Sequence, residues 1–302
     1  MKKRGRIKPN QYIGINNTYR GREEGQLILM LPMGMKIGFF DSGIGGLTVL
    51  KNVMKNFGNH QYFYLADNLN VPYGSKPISF LKENLEKIMY FYNLLHVDVL
   101  ISACNTTDSI ALKNNIALNN YDFVYVSIIK NGIKSIKKED SVLLLGTENT
   151  IKLGVYKNLL FEKGIKKFDE LACPLFVPLI EEGYWYGQMA DSILRFYLRD
   201  FRAKYDKVLL GCTHYPILEE QIGRYTEALT IDPSDGIVDF LNKEIKVEKR
   251  VGSLSVNYYI TGNIEKFKYL SKLFMKDISY LPNFKKIDLN RLCEKQSMLF
   301  TK

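Results

Sequence analysis

The amino-acid sequence predicts an α/β protein of two similar open α/β domains, each a parallel-rich sheet flanked by helices, with the active site in the interdomain cleft. Three observations predict this. From residue 36 onward, apolar runs of strand length alternate with stretches of helical periodicity. Two runs, Val99-Leu100-Ile101-Ser102 and Val208-Leu209-Leu210-Gly211, lead through a cysteine and small polar residues into a segment able to start a helix, at Cys104-Asn105-Thr106 and at Cys212-Thr213-His214. Strand–glycine units beginning at Lys36 and Ser141 lie about 105 residues apart and the two cysteines about 108 apart, matching offsets that suggest duplication.

Residues 1–34 show no sustained periodicity, and the short apolar piece Leu27-Ile28-Leu29-Met30-Leu31 follows an acidic pair, a poor fit to a secretory signal. They read as a disordered extension, or as translation from a start upstream of a working one at Met33 or Met35. The first domain is expected over 35–127 plus 235–302 and the second over 128–234. Lys36–Phe40 has the pattern of a buried strand. Asp41-Ser42-Gly43-Ile44-Gly45-Gly46 follows as a tight loop, and Leu47, Leu50, Val53, Met54 and Phe57 mark one face of a helix. Gly43 and Gly45 let a carboxylate or phosphate approach that helix, whereas a dinucleotide fingerprint needs a glycine where Thr48 stands.

Tyr62–Ala66 is the next strand and runs into Asp67–Gly74, a loop with turn chemistry. Residues 78–95 carry helical spacing through Ile78, Leu81, Leu85, Ile88, Met89, Tyr92 and Leu95. Beyond the Cys104 strand, Asn105 and Thr106 are suited to cap the following helix. Asp122–Val126 and Ser141–Leu145 are further strands, the second leading through Gly146-Thr147 into a helix. The prolines of Cys173–Gly183 argue for an edge strand or loop. A helix is expected over 187–204 and a short strand over Leu229–Ile231, and the remaining helix and strand signals complete the first half.

Half of the net charge of +10 lies before residue 35, and the rest is lysine spread without a basic stripe, so no nucleic-acid surface is expected. No apolar run reaches membrane-spanning length. The four cysteines, Cys104, Cys173, Cys212 and Cys293, form neither a CxxC pair nor a disulfide framework, which points to a reduced, cytoplasmic protein.

Thiols at the carboxyl ends of strands sit where open α/β folds hold ligands. If Cys104 and Cys212 face each other across one cleft, a carbon acid held between them can lose a proton to one side and regain it from the other. One sulfur must then be a thiolate and its partner a thiol. Asp41 could orient or relay a proton to Cys104. His214 could do the same for Cys212, with Glu181 as partner of the imidazole, while Cys173 reads as packing. Three other readings compete: Cys212 and His214 as metal ligands, which lack companions; a Cys–His nucleophile for acyl transfer, which leaves one cysteine strand unexplained; and a two-lobed binding protein, which needs no thiols.

Phe40-Asp41-Ser42-Gly43-Ile44-Gly45-Gly46-Leu47-Thr48-Val49, Pro72-Tyr73-Gly74, Ala103-Cys104-Asn105-Thr106 and Leu210-Gly211-Cys212-Thr213-His214-Tyr215-Pro216 resemble the signatures of the bacterial glutamate racemases. The match runs in the expected order over residues 36–270, and Gly146-Thr147 and Cys173–Gly183 also fit. The resemblance implies interconversion of L- and D-glutamate without a cofactor, by a homodimer that supplies D-glutamate for peptidoglycan synthesis. It implies that Cys104 deprotonates D-glutamate and Cys212 L-glutamate, assisted by Asp41 and His214, with Glu181 beside His214. Ser42, Pro72, Tyr73, Gly74, Asn105, Thr106 and Thr213 would hold the substrate. A related aspartate racemase is the alternative; a catalytically idle member that binds a partner such as a DNA topoisomerase is another, against which both thiols speak.

The chain departs from the family pattern at Thr107-Asp108, usually Ala-Ser, at Asn68, usually Thr, and at Leu153 and Pro233, usually Ser. Asp108 is expected on the first turn of its helix, where an acid is favoured, facing out of the cleft.

Overall fold

The apolar runs form two parallel sheets. A computed structural model describes residues 34–292 apart from 115 and 117–119. Cys293 and the extension expected over 1–34, all but its last residue, lie outside the described residues. In the first sheet, β1 (Lys36–Asp41) lies between β2 (Gln61–Ala66) and β3 (Val99–Ser102). With β4 (Val124–Ser127), β9 (Ser255–Ile260) and β10 (Leu281–Lys286) the order is β10-β9-β2-β1-β3-β4. The second sheet contains β5 (Ser141–Gly146), β6 (Lys167–Ala172), β7 (Lys207–Gly211) and β8 (Leu229–Ile231) in the order β6-β5-β7-β8. Each strand pair described is parallel.

The second order repeats β2-β1-β3-β4 of the first. Register makes the repeat specific: Phe40 stands opposite Ser102, and Leu145 opposite Leu210. Asp41 and Gly146 therefore occupy matching strand ends, and Cys104 and Cys212 each follow two residues after the paired position. In each sheet the chain leaves the central strand toward opposite sides, and the crevice so formed at the carboxyl ends is where this topology places ligands. The central strands β1, β3, β5 and β7 are buried almost throughout, as strands covered on both faces must be, while β6, β8 and β10 carry exposed residues at the edges.

Helical periodicity is realised where it is strongest. In α1 (Leu47–Phe57) the five apolar positions read from the sequence are all buried. In α2 (Ile78–Leu95) Leu81, Leu85, Ile88, Met89 and Tyr92 are buried, and the chain turns out at His96 in the left-handed region, φ 49°. An 11-residue helix, Ile264–Phe274, follows β9 and leads to β10. Among the described residues no helix is long and apolar enough to cross a membrane.

Four local expectations are corrected. The stretch Cys173–Gly183 is neither an edge strand nor a loop: β6 ends before it, and α7 (Phe176–Glu181) occupies most of it. Pro178 is the third residue of α7, inside the first turn, where no intrahelical partner exists for its missing N–H. Asn105 and Thr106 do not cap α3 (Asn105–Lys113); Cys104 is the N-cap, with no side-chain cap bond, and both polar side chains bond elsewhere. The helix expected over 187–204 is α8 (Gln188–Leu198) followed by a 3-10 turn at Arg199–Phe201. The strand after α3 begins at Val124, two residues later than the expected start at Asp122.

The departures from the family pattern have identifiable places. Asn68 joins two loops, accepting from Gly262 N at 2.6 Å and donating to Asn263 O at 3.2 Å. Pro233 packs against Gly132 at the end of α4 (Ile128–Gly132), where any added Cβ would come within 2.4 Å of its ring. Leu153 ends α5 (Glu148–Leu153), just before Gly154 turns the chain in the left-handed region. Asp108 sits on the first turn of α3 and is fully buried. Its carboxylate accepts from Ser127 Oγ at 2.6 Å, Tyr125 Oη at 2.9 Å and Ile129 N at 2.9 Å, tying α3 to β4 and to the start of α4.

Burial pushes the Asp108 carboxyl up to about 6 despite these three donors. An unfolded aspartate ionises near 3.8, so between those values the folded chain keeps a proton that the unfolded chain has released. Stability from this group is therefore present at low pH and is lost as pH rises through that window. Wild type should lose stability relative to Asp108→Asn between about pH 4 and pH 6 and run parallel to it above, measured by chemical denaturation. Parallel curves over the whole range would contradict the assignment.

Candidate active site

Asp41, Cys104, Cys212, Thr213, His214 and Glu181 come together where the carboxyl ends of the two sheets meet, all buried. Asp41 ends β1, and its Oδ2 accepts from Gly43 N at 2.9 Å. Its Oδ1 accepts from Thr213 Oγ1 at 2.8 Å, a bond spanning 172 residues of chain. Cys104 follows β3, with its N–H donating to Phe40 O at 3.2 Å. Cys212 follows β7, and its Sγ lies 3.7 Å from His214 Nδ1. The other imidazole nitrogen, Nε2, is 2.7 Å from Glu181 Oε1. Because a carboxylate accepts there, Nε2 carries a proton and Nδ1 is the nitrogen that faces the sulfur.

Glu181 reaches this position from the last residue of α7. The same Oε1 accepts from Ile44 N at 2.9 Å, in the glycine loop of the first sheet. That loop must be bare. A Cβ at Gly43 would lie 1.9 Å from Glu181 Oε1, and one at Gly45 would lie 2.4 Å from His214 Nδ1. The glycines of Asp-Ser-Gly-Ile-Gly-Gly thus admit the Glu181–His214 pair rather than a dinucleotide. Ser42 is buried in the same turn.

The two thiols stand in different electrostatic settings. Burial pushes Cys104 up to about 12, helped by the negative charge of Asp41. Burial alone would lower His214, but its bonds and charge interactions with Cys212 and Glu181 hold it well above the ordinary imidazole value. Asp41 is raised by burial, against the opposing pull of His214 and the Gly43 and Thr213 donors. Cys104 and Cys212 are near enough for a charge on the second to raise the first.

Pro72, Tyr73 and Gly74 approach from a loop after β2 that contains a 3-10 turn at Tyr73–Ser75. A buried carboxylate anchors this loop: Asp67 accepts from Tyr73 Oη, from Asn84 Nδ2 at 2.9 Å and from Thr261 Oγ1 at 2.6 Å. Asn149 Nδ2, from α5, donates to Tyr73 O and Lys76 O, both at 2.9 Å, and so fastens the loop to the other half. Thr106 Oγ1 lies 2.9 Å from Thr147 Oγ1 and 3.3 Å from Thr150 Oγ1, which are themselves 3.0 Å apart. Asn105 is buried, its Oδ1 accepts from Tyr156 Oη at 2.5 Å, and its Nδ2 has no partner.

Every site residue named from the sequence except Pro72 is buried in this region or in the loop beside it. The sequence reading missed Asp67, Asn149, Thr150 and Tyr156. Asp67 had a signal, an acid one residue past the end of β2, whose last residue Ala66 pairs with Asp41, whereas Asn149 and Tyr156 act across the junction of the halves and leave no local pattern. Cys173 is fully buried beside Leu171 O, 3.8 Å from its sulfur, consistent with packing. Among the described residues no group of three or more His, Cys, Asp and Glu side chains is arranged to hold a metal ion.

No family model matches the chain. The glutamate racemase of Aquifex aeolicus is 36% identical over 245 residues, covering 80% of this chain and 94% of that protein. Among solved structures, the Francisella tularensis glutamate racemase in complex with D-glutamate superposes with a TM-score of 0.77 at 28% identity, covering 85% of this chain and 99% of the other. The Campylobacter jejuni glutamate racemase does so with a TM-score of 0.74 at 31% identity, covering 80% and 98%. The aspartate racemase of Picrophilus torridus shares the fold alone, at 19% identity and a TM-score of 0.52 over 72% of this chain and 96% of that one. Sequence likeness over most of the length and two parallel sheets meeting at paired cysteines agree: the chain is a racemase that belongs to the glutamate racemase family.

Proposed function

We propose that this protein interconverts L- and D-glutamate by two-base proton transfer between Cys104 and Cys212. The observation that carries this reading is the pair of buried thiols on matching strand ends, one beside a His–Glu pair and the other beside an aspartate. Cys212, as a thiolate stabilised by the His214 imidazolium, takes the α-proton of L-glutamate. Cys104, held as a thiol by burial and by Asp41, returns a proton to the opposite face and yields D-glutamate. The forward step leaves Cys212 protonated and Cys104 as the thiolate, the state required for the reverse reaction. Glu181 sustains the imidazolium, and Asp41 orients or relays the proton at Cys104.

In this reading Ser42, Tyr73, Gly74, Asn105, Thr106 and Thr213 hold the carboxylates and ammonium of the substrate, with Pro72 shaping the loop. One identified donor, the unpaired Asn105 amide, supports the carboxylate assignment. We further propose the division at 35–127 plus 235–302 and 128–234 as two domains, a homodimeric cytoplasmic enzyme, and a role in supplying D-glutamate for peptidoglycan. These rest on the family resemblance, with the repeated strand order as added support for the division.

Glutamate is favoured over aspartate because relatives at 31–36% identity are glutamate racemases, while the aspartate enzyme shares only the fold. The test is circular dichroism of L-glutamate and L-aspartate without pyridoxal phosphate. Optical rotation should be lost with glutamate; loss with aspartate alone would make this the aspartate enzyme, and no loss with either would end the proposal. Cys104→Ala and Cys212→Ala should each lower turnover by at least about 100-fold, the usual scale for a general acid or base, with far-ultraviolet dichroism unchanged. Glu181→Gln removes a group that holds up His214, so the imidazolium is lost at lower pH. The alkaline limb of the kcat/KM profile should move to lower pH, and an unmoved limb would remove Glu181 from the mechanism.

A further inference from the structure

Asn105 presents an unusual balance of hydrogen bonds. It is 2% exposed, it directly follows Cys104, and its amide nitrogen has no partner. A buried donor left unpaired is costly, and native structures seldom keep one without a ligand or water to take it. Its amide oxygen, by contrast, is bound by Tyr156 Oη at 2.5 Å.

Tyr156 belongs to the opposite half. It lies in the first turn of α6 (Val155–Glu162), which starts where Gly154 bends the chain at φ 67°. Its ring packs against the end of β7, where a Cβ on Gly211 would come within 3.4 Å of Cε2. The side chain is fully buried, and burial with the nearby charges of Asp108, Asp232 and Cys212 keeps its phenol protonated. The hydroxyl can donate or accept, and here, held in place by packing, it gives its proton to the amide oxygen; a reversed amide would leave that buried proton without this acceptor.

We propose that Tyr156 is a positioning residue for substrate binding: by donating to Asn105 Oδ1 across the junction of the halves, it fixes the amide so that Nδ2, not Oδ1, meets a substrate carboxylate. The inference rests on the glutamate reading above and adds to it a residue outside the cleft motifs. Without the phenol, Asn105 gains nothing from one amide orientation over the other. Rotation by half a turn sets a carbonyl oxygen against the carboxylate, which repels it. The effect falls on binding, since the amide is proposed to meet a carboxylate and not the α-carbon.

Tyr156→Phe deletes one oxygen and keeps the ring. It should raise KM for L-glutamate about tenfold, the scale of a hydrogen bond to a charged group, and leave kcat within about threefold. In an Asn105→Ala background the same change should leave KM unaltered, because there is no amide left to orient. Asn105→Asp supplies a second test: Tyr156 keeps its acceptor, but an oxygen replaces Nδ2, and D-glutamate binding measured by calorimetry should fall below detection while the melting temperature holds. An unchanged KM in Tyr156→Phe, or equal effects with and without Asn105, would overturn the proposal. Wild type that neither binds nor racemises glutamate would instead overturn the functional reading on which it rests.

Discussion

One carboxylate oxygen holds the site together. Glu181 Oε1 accepts both from Ile44 N, in the glycine loop of the first sheet, and from His214 Nε2, in the turn after β7 of the second. A buried carboxylate is expensive unless its lone pairs are used and a cation stands near, and here a backbone amide and an imidazole do both. The arrangement explains the shape of the loop. Gly43 and Gly45 leave the volume that the carboxylate and the ring occupy, so a sequence feature that looks like a phosphate cradle is the imprint of an ion pair.

The sheets supply a repeated frame, and the side chains break its symmetry. Matching register brings Cys104 and Cys212 to equivalent strand ends. The residue two places after Cys212 is His214, with Glu181 behind it; the residue two places after Cys104 is Thr106, which bonds only hydroxyls. Asp41 sits at the end of β1, and its counterpart at the end of β5 is Gly146. Cationic support therefore gathers at one sulfur and anionic pressure at the other. One frame thus gives two cysteines different neighbours, the asymmetry that the proposed two-base reaction would use.

Much of this was legible in the residues. The central strands are uninterrupted apolar runs because they are covered on both faces, and α2 keeps a clean period over its whole length, so local pattern specified them. The cysteines were legible through their shared context at strand ends. The misreadings have physical causes. Pro178 resembled a helix breaker, yet it falls in a first turn where its missing N–H is harmless. Asn105 and Thr106 had the chemistry of caps, but β3 hands its chain to α3 one residue earlier, at Cys104, and frees both side chains for the opposite half. Tyr156 lies 51 residues from Asn105 and Asn149 lies 76 from Tyr73, contacts that only the docking of the halves creates. Asp108 was placed on the right turn of the right helix, but its burial depended on β4, which the sequence reading began too early.

The three threonines at the junction carry a consequence of simple counting. Thr106, Thr147 and Thr150 bring one hydroxyl proton each, and their oxygens form a closed triangle of contacts. With each proton spent on a neighbour, the ring has none to offer a guest. A carboxylate that claims the Thr106 proton must open one side of the triangle and slacken the seam through which the halves touch. In the proposed binding mode, ligand capture and this contact between the halves would draw on the same three hydrogens.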